Sequence, residues 1–222
     1  MSVASGLRTV LGGIDRACER AGRTPGSVRL VAVTKTVTVE RIREAYEAGQ
    51  RVFGENYVQE LTGKAEALSG LPDIEWHYIG SLQRNKVRHV LAHVRLLQTV
   101  DSVKLLEEIE KRAQKRIDVL VEVNVGREPQ KAGCMPDGVG TLVDRIERSD
   151  RVRCLGLMVL PPFDLDPEEA RSWFAALREL RDSLGGAARL PELSMGMSAD
   201  YEVAVEEGAT IVRVGTAIFG PR

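Results

Sequence analysis

The sequence lacks most of the features that give a function away at sight. Among its 222 residues there are only three cysteines, Cys18, Cys134 and Cys154. Their odd number and wide spacing exclude a disulfide framework and a CxxC metal pair, and a reducing, cytoplasmic setting is expected. Charge of one sign is not in excess. Lys plus Arg total 31 and Asp plus Glu total 32, for a formal net charge of −1, which argues against a dedicated nucleic-acid binder. No apolar run approaches the roughly 20 residues of a membrane-spanning helix. Arg8, Asp15, Arg16, Glu19 and Arg20 interrupt any apolar core of a secretory signal. There is no Walker loop, no GxGxxG and no GxSxG nucleophile elbow. His89 and His93 stand four apart but lack the glutamate of HExxH, so no metal site is expected there. No linker, low-complexity tract or fixed-period repeat divides the chain, and one domain over residues 1–222 is the simplest expectation.

What the chain does contain is an alternation of two textures. Val3, Leu7, Val10, Leu11, Ile14 and Cys18 recur with helical spacing and predict an amphipathic N-terminal helix. Eight short β-branched runs follow: 29–34, 51–54, 75–79, 95–100, 118–123, 153–159, 192–195 and 210–214. Between them lie seven segments of helical period: 39–48, 57–68, 84–92, 102–115, 138–148, 167–183 and 199–206. This order predicts an α/β protein with a parallel sheet. A closed (β/α)8 TIM barrel with an extra N-terminal helix fits, that helix taking the place of an absent eighth one. An open doubly wound sheet is the alternative, but the first strand runs into Thr34-Lys35-Thr36 without the glycines such a fold usually carries there.

In such a barrel the functional groups sit at the C-terminal ends of the strands, and phosphates bind in the loops after strands seven and eight. Lys35 closes the apolar run Leu30–Val33. It reads either as a desolvated, nucleophilic amine or as a lysine that begins a solvated loop. Ser198 is a candidate cap of the following helix, whose exposed amides would attract an anion. Gly215 and Thr216 add a close backbone approach and a hydroxyl from the neighbouring loop. Arg213 lies inside the apolar run Ile211–Val214 and needs a partner, either a structural acid or a ligand. The basic face formed by Arg84, Lys86, Arg88 and His89 reads as a solvated helix surface.

Taken in order, five stretches look like one family: Ala32–Thr36, Phe53–Glu60, Trp76–Gly80 running on to Leu82–Lys86, Leu193–Asp200 and Val212–Gly220. Over nearly its whole length the chain resembles the pyridoxal phosphate homeostasis proteins, also called the YggS or proline-synthetase co-transcribed family. The resemblance implies a barrel like the N-terminal domain of alanine racemase, with pyridoxal 5'-phosphate (PLP) held as a Schiff base on Lys35. It further implies that Ser198, Gly215 and Thr216 hold the phosphate, that Arg213 faces the pyridine nitrogen and that Asn56 lies near the ring, with His77 and Met158 as outer pocket neighbours. Residues 125–133 depart from the family's usual wording. A PLP-binding protein that buffers or delivers the cofactor is expected, acting as a monomer, with apo-PLP enzymes as possible partners and neither nucleic acid nor membrane among them. Alanine racemases place a β-rich domain after the barrel, whereas this sequence stops soon after the last barrel motif, so no efficient racemase is expected. The alternatives are a PLP enzyme with weak racemase-like activity and, from another class, a lyase or aldolase using Lys35 without PLP.

Overall fold

A computed structural model describes residues 2–162 and 165–221 of the chain. Eight parallel strands close into a barrel in sequence order. They are β1 (Arg29–Val33), β2 (Val52–Glu55), β3 (Glu75–Tyr78), β4 (Val94–Val100), β5 (Ile117–Glu122), β6 (Val152–Met158), β7 (Glu192–Ser194) and β8 (Ile211–Val214). Closure is made by β1 against β8, with Val31 opposite Arg213. The helices of the outer layer are α1 (Val3–Arg20), α2 (Val39–Glu47), α3 (Val58–Ala67), α4 (Val87–Leu91), α5 (Val103–Arg112), α6 (Pro136–Glu147), α7 (Pro167–Ser183), α8 (Gly186–Arg189), α9 (Tyr201–Glu206) and α10 (Thr216–Phe219).

Alternation along each strand sorts residues into two compartments. Leu30 and Ala32 of β1, Phe53 of β2, Trp76 and Tyr78 of β3 and Val212 and Val214 of β8 join the large core between sheet and helices. Val31, Leu96, Leu120, Met158 and Ile211 form a separate, smaller cluster, which fills the lumen. Two residues further along the strands, toward their C-terminal ends, the same face carries Gln98, Glu122 and Arg213, all buried. The lumen is thus apolar below and polar above, and the polar layer lies where a barrel places its chemistry.

Several boundaries differ from the sequence reading. The expected helix 84–92 is a 3-10 turn at Arg84–Lys86 followed by the short α4, and α6 begins two residues earlier than expected, with Pro136 in its first turn. The eighth helix is not absent but reduced to the single turn of α10, and α1 packs beside it, so both fill the last place in the ring. Glycine lets α1 pack closely on the last two helices: a Cβ on Gly6 would stand 2.6 Å from the Ile218 carbonyl oxygen of α10, and one on Gly13 would collide with the Tyr201 hydroxyl of α9. Leu11 was expected on the buried stripe of α1 but is exposed. It follows Val10 by one position and therefore lies about 100° around the helix from it.

Candidate functional site

A cavity of about 340 Å³ opens at the C-terminal ends of β1 and β8, at the small end of the range typical for ligand pockets. Lys35, Thr36, Arg41, Gly215, Thr216 and Phe219 are in its walls. The register explains the meeting. Ala32 pairs with Val214 across the barrel's closing seam, so the residues that follow, Lys35 and Gly215, leave neighbouring strand ends together. Lys35 is half-buried. The next residue, Thr36, has φ +62°, a conformation that a β-branched residue rarely adopts. Arg41, on α2, brings a second cation to the wall, its guanidinium 5.9 Å from the centre of the Phe219 ring.

The loop after β7 completes this side. Gly196 sits at φ +92°, and a Cβ there would stand 2.5 Å from that of Ala204, so the turn requires glycine. Its carbonyl accepts from the Arg213 amide at 3.0 Å. Ser198 does not cap α9, contrary to the sequence reading. Asp200 takes that position, its carboxylate accepting from the Met197 amide at 2.5 Å. The Ser198 hydroxyl oxygen instead accepts from the amides of Gly215 at 3.2 Å and Ala217 at 3.5 Å. It therefore joins the two loops at the opening of α10.

Arg213 is buried, with 3% of its surface exposed. It donates to Ser194 Oγ at 2.5 Å and to the Val159 carbonyl at 2.9 Å. Burial pulls its guanidinium down to about 10, and the nearby charges of Asp200 and Glu122 oppose that fall. Ser194 passes the polarity on, donating to Gln98 Oε1 at 2.6 Å, and Gln98 Nε2 lies 2.9 Å from His77 Nδ1. With the Gln98 amide donating, His77 accepts at Nδ1 and carries its proton on Nε2. Burial, helped by Arg29 and Arg95, lowers His77 to about 3, so the ring is neutral. Glu122 is pushed up to about 7, first by burial and then by the charge of Asp101.

The candidate residues thus fall into three groups. Lys35, Gly215 and Thr216 share one cavity, and Ser198 is bonded to its rim. Arg213 lies one turn of the strand below Gly215, in the polar lumen layer, joined through Ser194 and Gln98 to His77. Met158 belongs to the apolar lumen cluster beneath. Asn56 is outside the cavity wall; its peptide packs on Gly80, and its buried Oδ1 has no hydrogen-bond partner. Arg41 and Gln98 were not anticipated. Gln98 was detectable as a polar residue in the run Leu96–Val100, whereas Arg41 carries no local signal.

These groups suit a small molecule with a carbonyl, an aromatic nitrogen and an anionic end. Lys35 would supply the amine, Ser198, Gly215, Thr216 and Arg41 the anion contacts, and Arg213 a buried cation in the lumen layer. Pyridoxal phosphate has those three parts, and the donor set fits it.

The fold, with a lysine at the end of β1, defines a barrel of the alanine racemase N-terminal class: residues 14–222 match the alanine racemase N-terminal domain. Alanine racemase from E. faecalis shares the fold at TM-score 0.69 and 16% identity, over 100% of this chain and 59% of that one. Much nearer relatives exist. The pyridoxal phosphate homeostasis protein of Aquifex aeolicus is 49% identical over 100% of this chain and 99% of that protein, and the mouse protein of the same name is 38% identical over 100% and 88%. The structure of PipY from Synechococcus elongatus, with PLP bound, superposes at TM-score 0.84 with 37% identity, covering 99% of this chain and 100% of that one. The chain belongs to the pyridoxal phosphate homeostasis protein family.

Proposed function

We propose that this protein binds PLP at the mouth of its barrel and serves PLP homeostasis inside the cell, holding and releasing the cofactor rather than turning over amino acids. The observation that carries this reading is the convergence of Lys35 with Gly215 and Thr216 around one cavity, with Ser198 bonded to its rim. When bound, PLP supplies an aldehyde that condenses with amines and a ring that can draw electrons from the attached carbon. Each residue's part follows from its chemistry. Lys35 is the covalent anchor. Ser198, Gly215 and Thr216, with the Arg41 guanidinium, would hold the phosphate. Asn56 lies beside the ring and offers its orphaned oxygen to the bound molecule.

Arg213 narrows the chemistry without choosing between carrier and racemase. A cation facing the pyridine nitrogen would disfavour protonation there and weaken the ring as an electron sink. Its hydrogen bonds to Ser194 and Val159 hold the guanidinium in place, and burial keeps water from screening it. Such a site is compatible with holding the cofactor or with racemase-like chemistry and is poorly suited to transamination.

The test is direct. The protein mixed with PLP should absorb in the visible, and borohydride reduction followed by peptide mapping should place the pyridoxyl group on Lys35. Ser198→Ala and Thr216→Val should each weaken PLP binding roughly ten- to a hundredfold, as expected for a lost charge-assisted hydrogen bond. Turnover of common amino acids should fall far below the roughly 1–1000 per second of ordinary enzymes. Sustained turnover near one per second, abolished by Lys35→Ala, would overturn the carrier reading.

A further inference from the structure

A second polar cluster lies on the other side of the same strand, outside the lumen. Lys64, on α3, is only 7% exposed although it points into the layer between helix and sheet. Its ammonium donates to three acceptors: the Thr34 carbonyl at 2.6 Å, Glu55 Oε1 at 2.7 Å and Glu60 Oε2 at 2.6 Å. An ammonium has three hydrogens, so its donor capacity is used up. Thr34 Oγ1 also donates to Glu55 Oε1, at 2.5 Å, and Glu60 Oε2 accepts from the Thr36 amide at 2.8 Å.

Those contacts bracket Lys35. The Thr34 carbonyl belongs to the peptide group before Lys35, and the Thr36 amide to the one after it. Both peptide groups are therefore tied to one buried ammonium, the first directly and the second through Glu60. The second also carries the left-handed Thr36. A β-branched residue in that region is strained and persists only where its surroundings over-determine it. A buried ion pair adds little stability over an apolar pair of the same size, so stability alone does not account for a lysine at this place.

We propose that Lys64, with Glu55 and Glu60, is a positioning clamp for Lys35. It fixes the backbone on either side so that the Lys35 amine enters the cavity at the height and angle the cofactor's aldehyde requires. Lys64 itself touches no ligand; it acts through the Thr34–Thr36 backbone. This inference rests on the reading of Lys35 as the PLP anchor.

The experiment uses two variants. Glu60→Ala frees the Thr36 amide at a partly exposed position, where folding is expected to survive. Lys64→Met with Glu55→Gln removes the ammonium without leaving a buried carboxylate unpaired. For each, PLP affinity, the pH midpoint of the visible band of the bound cofactor, the thermal midpoint and the site of borohydride labelling are measured. The clamp predicts labelling still on Lys35, at least tenfold weaker PLP binding and a visible-band midpoint displaced from that of the unaltered protein, even in Glu60→Ala with its thermal midpoint nearly unchanged. A merely structural role would move only the thermal midpoint. PLP affinity and visible-band midpoint unchanged in Glu60→Ala would overturn the clamp while leaving the anchor reading intact. Labelling of the unaltered protein at a lysine other than Lys35 would overturn both.

Discussion

Two buried polar networks flank β1, one in the barrel lumen and one beneath α3, and they handle buried charge in opposite ways. In the lumen a single cation, Arg213, is surrounded by neutral partners: Ser194, Gln98, the Val159 carbonyl and a neutral His77. Its counter-charges, Asp200 and Glu122, act only through space. Beneath α3 the Lys64 cation meets two carboxylates directly. Burial pushes Glu55 upward, and its bonds from Lys64 and Thr34 pull it back. The lumen network thus holds a cation that no carboxylate touches, whereas the Lys64 cation is met directly by two carboxylates. The comparison teaches that nearness to the site does not make a charge a ligand contact; what separates the two is whether the protein has already neutralised it.

The difference should be measurable, most strongly at Lys64. Lys64→Met alone leaves Glu55 buried beside no ammonium, and removal of one partner from such a pair typically destabilises by about 3–5 kcal/mol. In urea denaturation the loss should shrink as pH falls, because Glu55 can then take up a proton, and the added Glu55→Gln change should recover more than half of it. A single variant as stable as the parent would show that the α3 network is not held by charge.

In the lumen, Gln98→Leu should weaken folding less, by about 1–3 kcal/mol for one polar group left without a partner. That group is His77 Nδ1, since Ser194 Oγ keeps its bond from Arg213. Urea midpoints at neutral pH check this. An effect larger than that of Lys64→Met would reverse the ranking of the two networks.

The most diagnostic effect is on pH dependence. His77 is lowered from 6.5 to about 3, so the unfolded chain binds its proton more readily, and stability should fall as pH drops from about 6.5 toward 3. Glu122 is raised from 4.5 to about 7, so the folded state holds its proton longer. That contribution is complete below about pH 4.5 and is lost as pH rises through 7. Between pH 4.5 and 6.5 the two slopes oppose each other. His77→Gln should remove the acid-side loss and Glu122→Gln the loss toward neutrality, each seen by comparing urea midpoints across pH 3–8. Parallel profiles for both variants and the parent would refute the assignment.

Much of this was legible in the sequence, for identifiable reasons. The order of strands and helices follows from hydrophobic period, and Lys35, Arg213, Gly215 and Thr216 stand out because polar residues and glycines interrupt apolar strands at their C-terminal ends. Period two also carried more than was drawn from it. Counting from the lumen residues Leu96, Leu120 and Ile211, it places Gln98, Glu122 and Arg213 in one layer. Other features could not be read. Lys64 looks like any lysine within an amphipathic helix, and only the folded chain shows it turned toward Thr34. The cap of α9 was misassigned because Ser198 and Asp200 are both good caps and the choice depends on Gly215, which is distant in sequence. The turn of α10 is too short for helical period to reveal.

The close approach of α1 to α10 and α9, permitted by Gly6 and Gly13, bears on the order in which the molecule is made. Lys35 emerges in synthesis long before Gly215 and Thr216, which share its cavity. The seam between β1 and β8 can zip only after nearly every other strand exists, so this is a contact of very long sequence separation and slow to form. Until then the first helix lacks the surface its glycines are shaped to meet, and Lys35 has no cradle opposite it. On the proposed reading, cofactor capture would be tied to completion of the ring: a locally opened barrel would hold the amine without the phosphate grip, and retention of the ligand would report that the first and last strands of the barrel have paired.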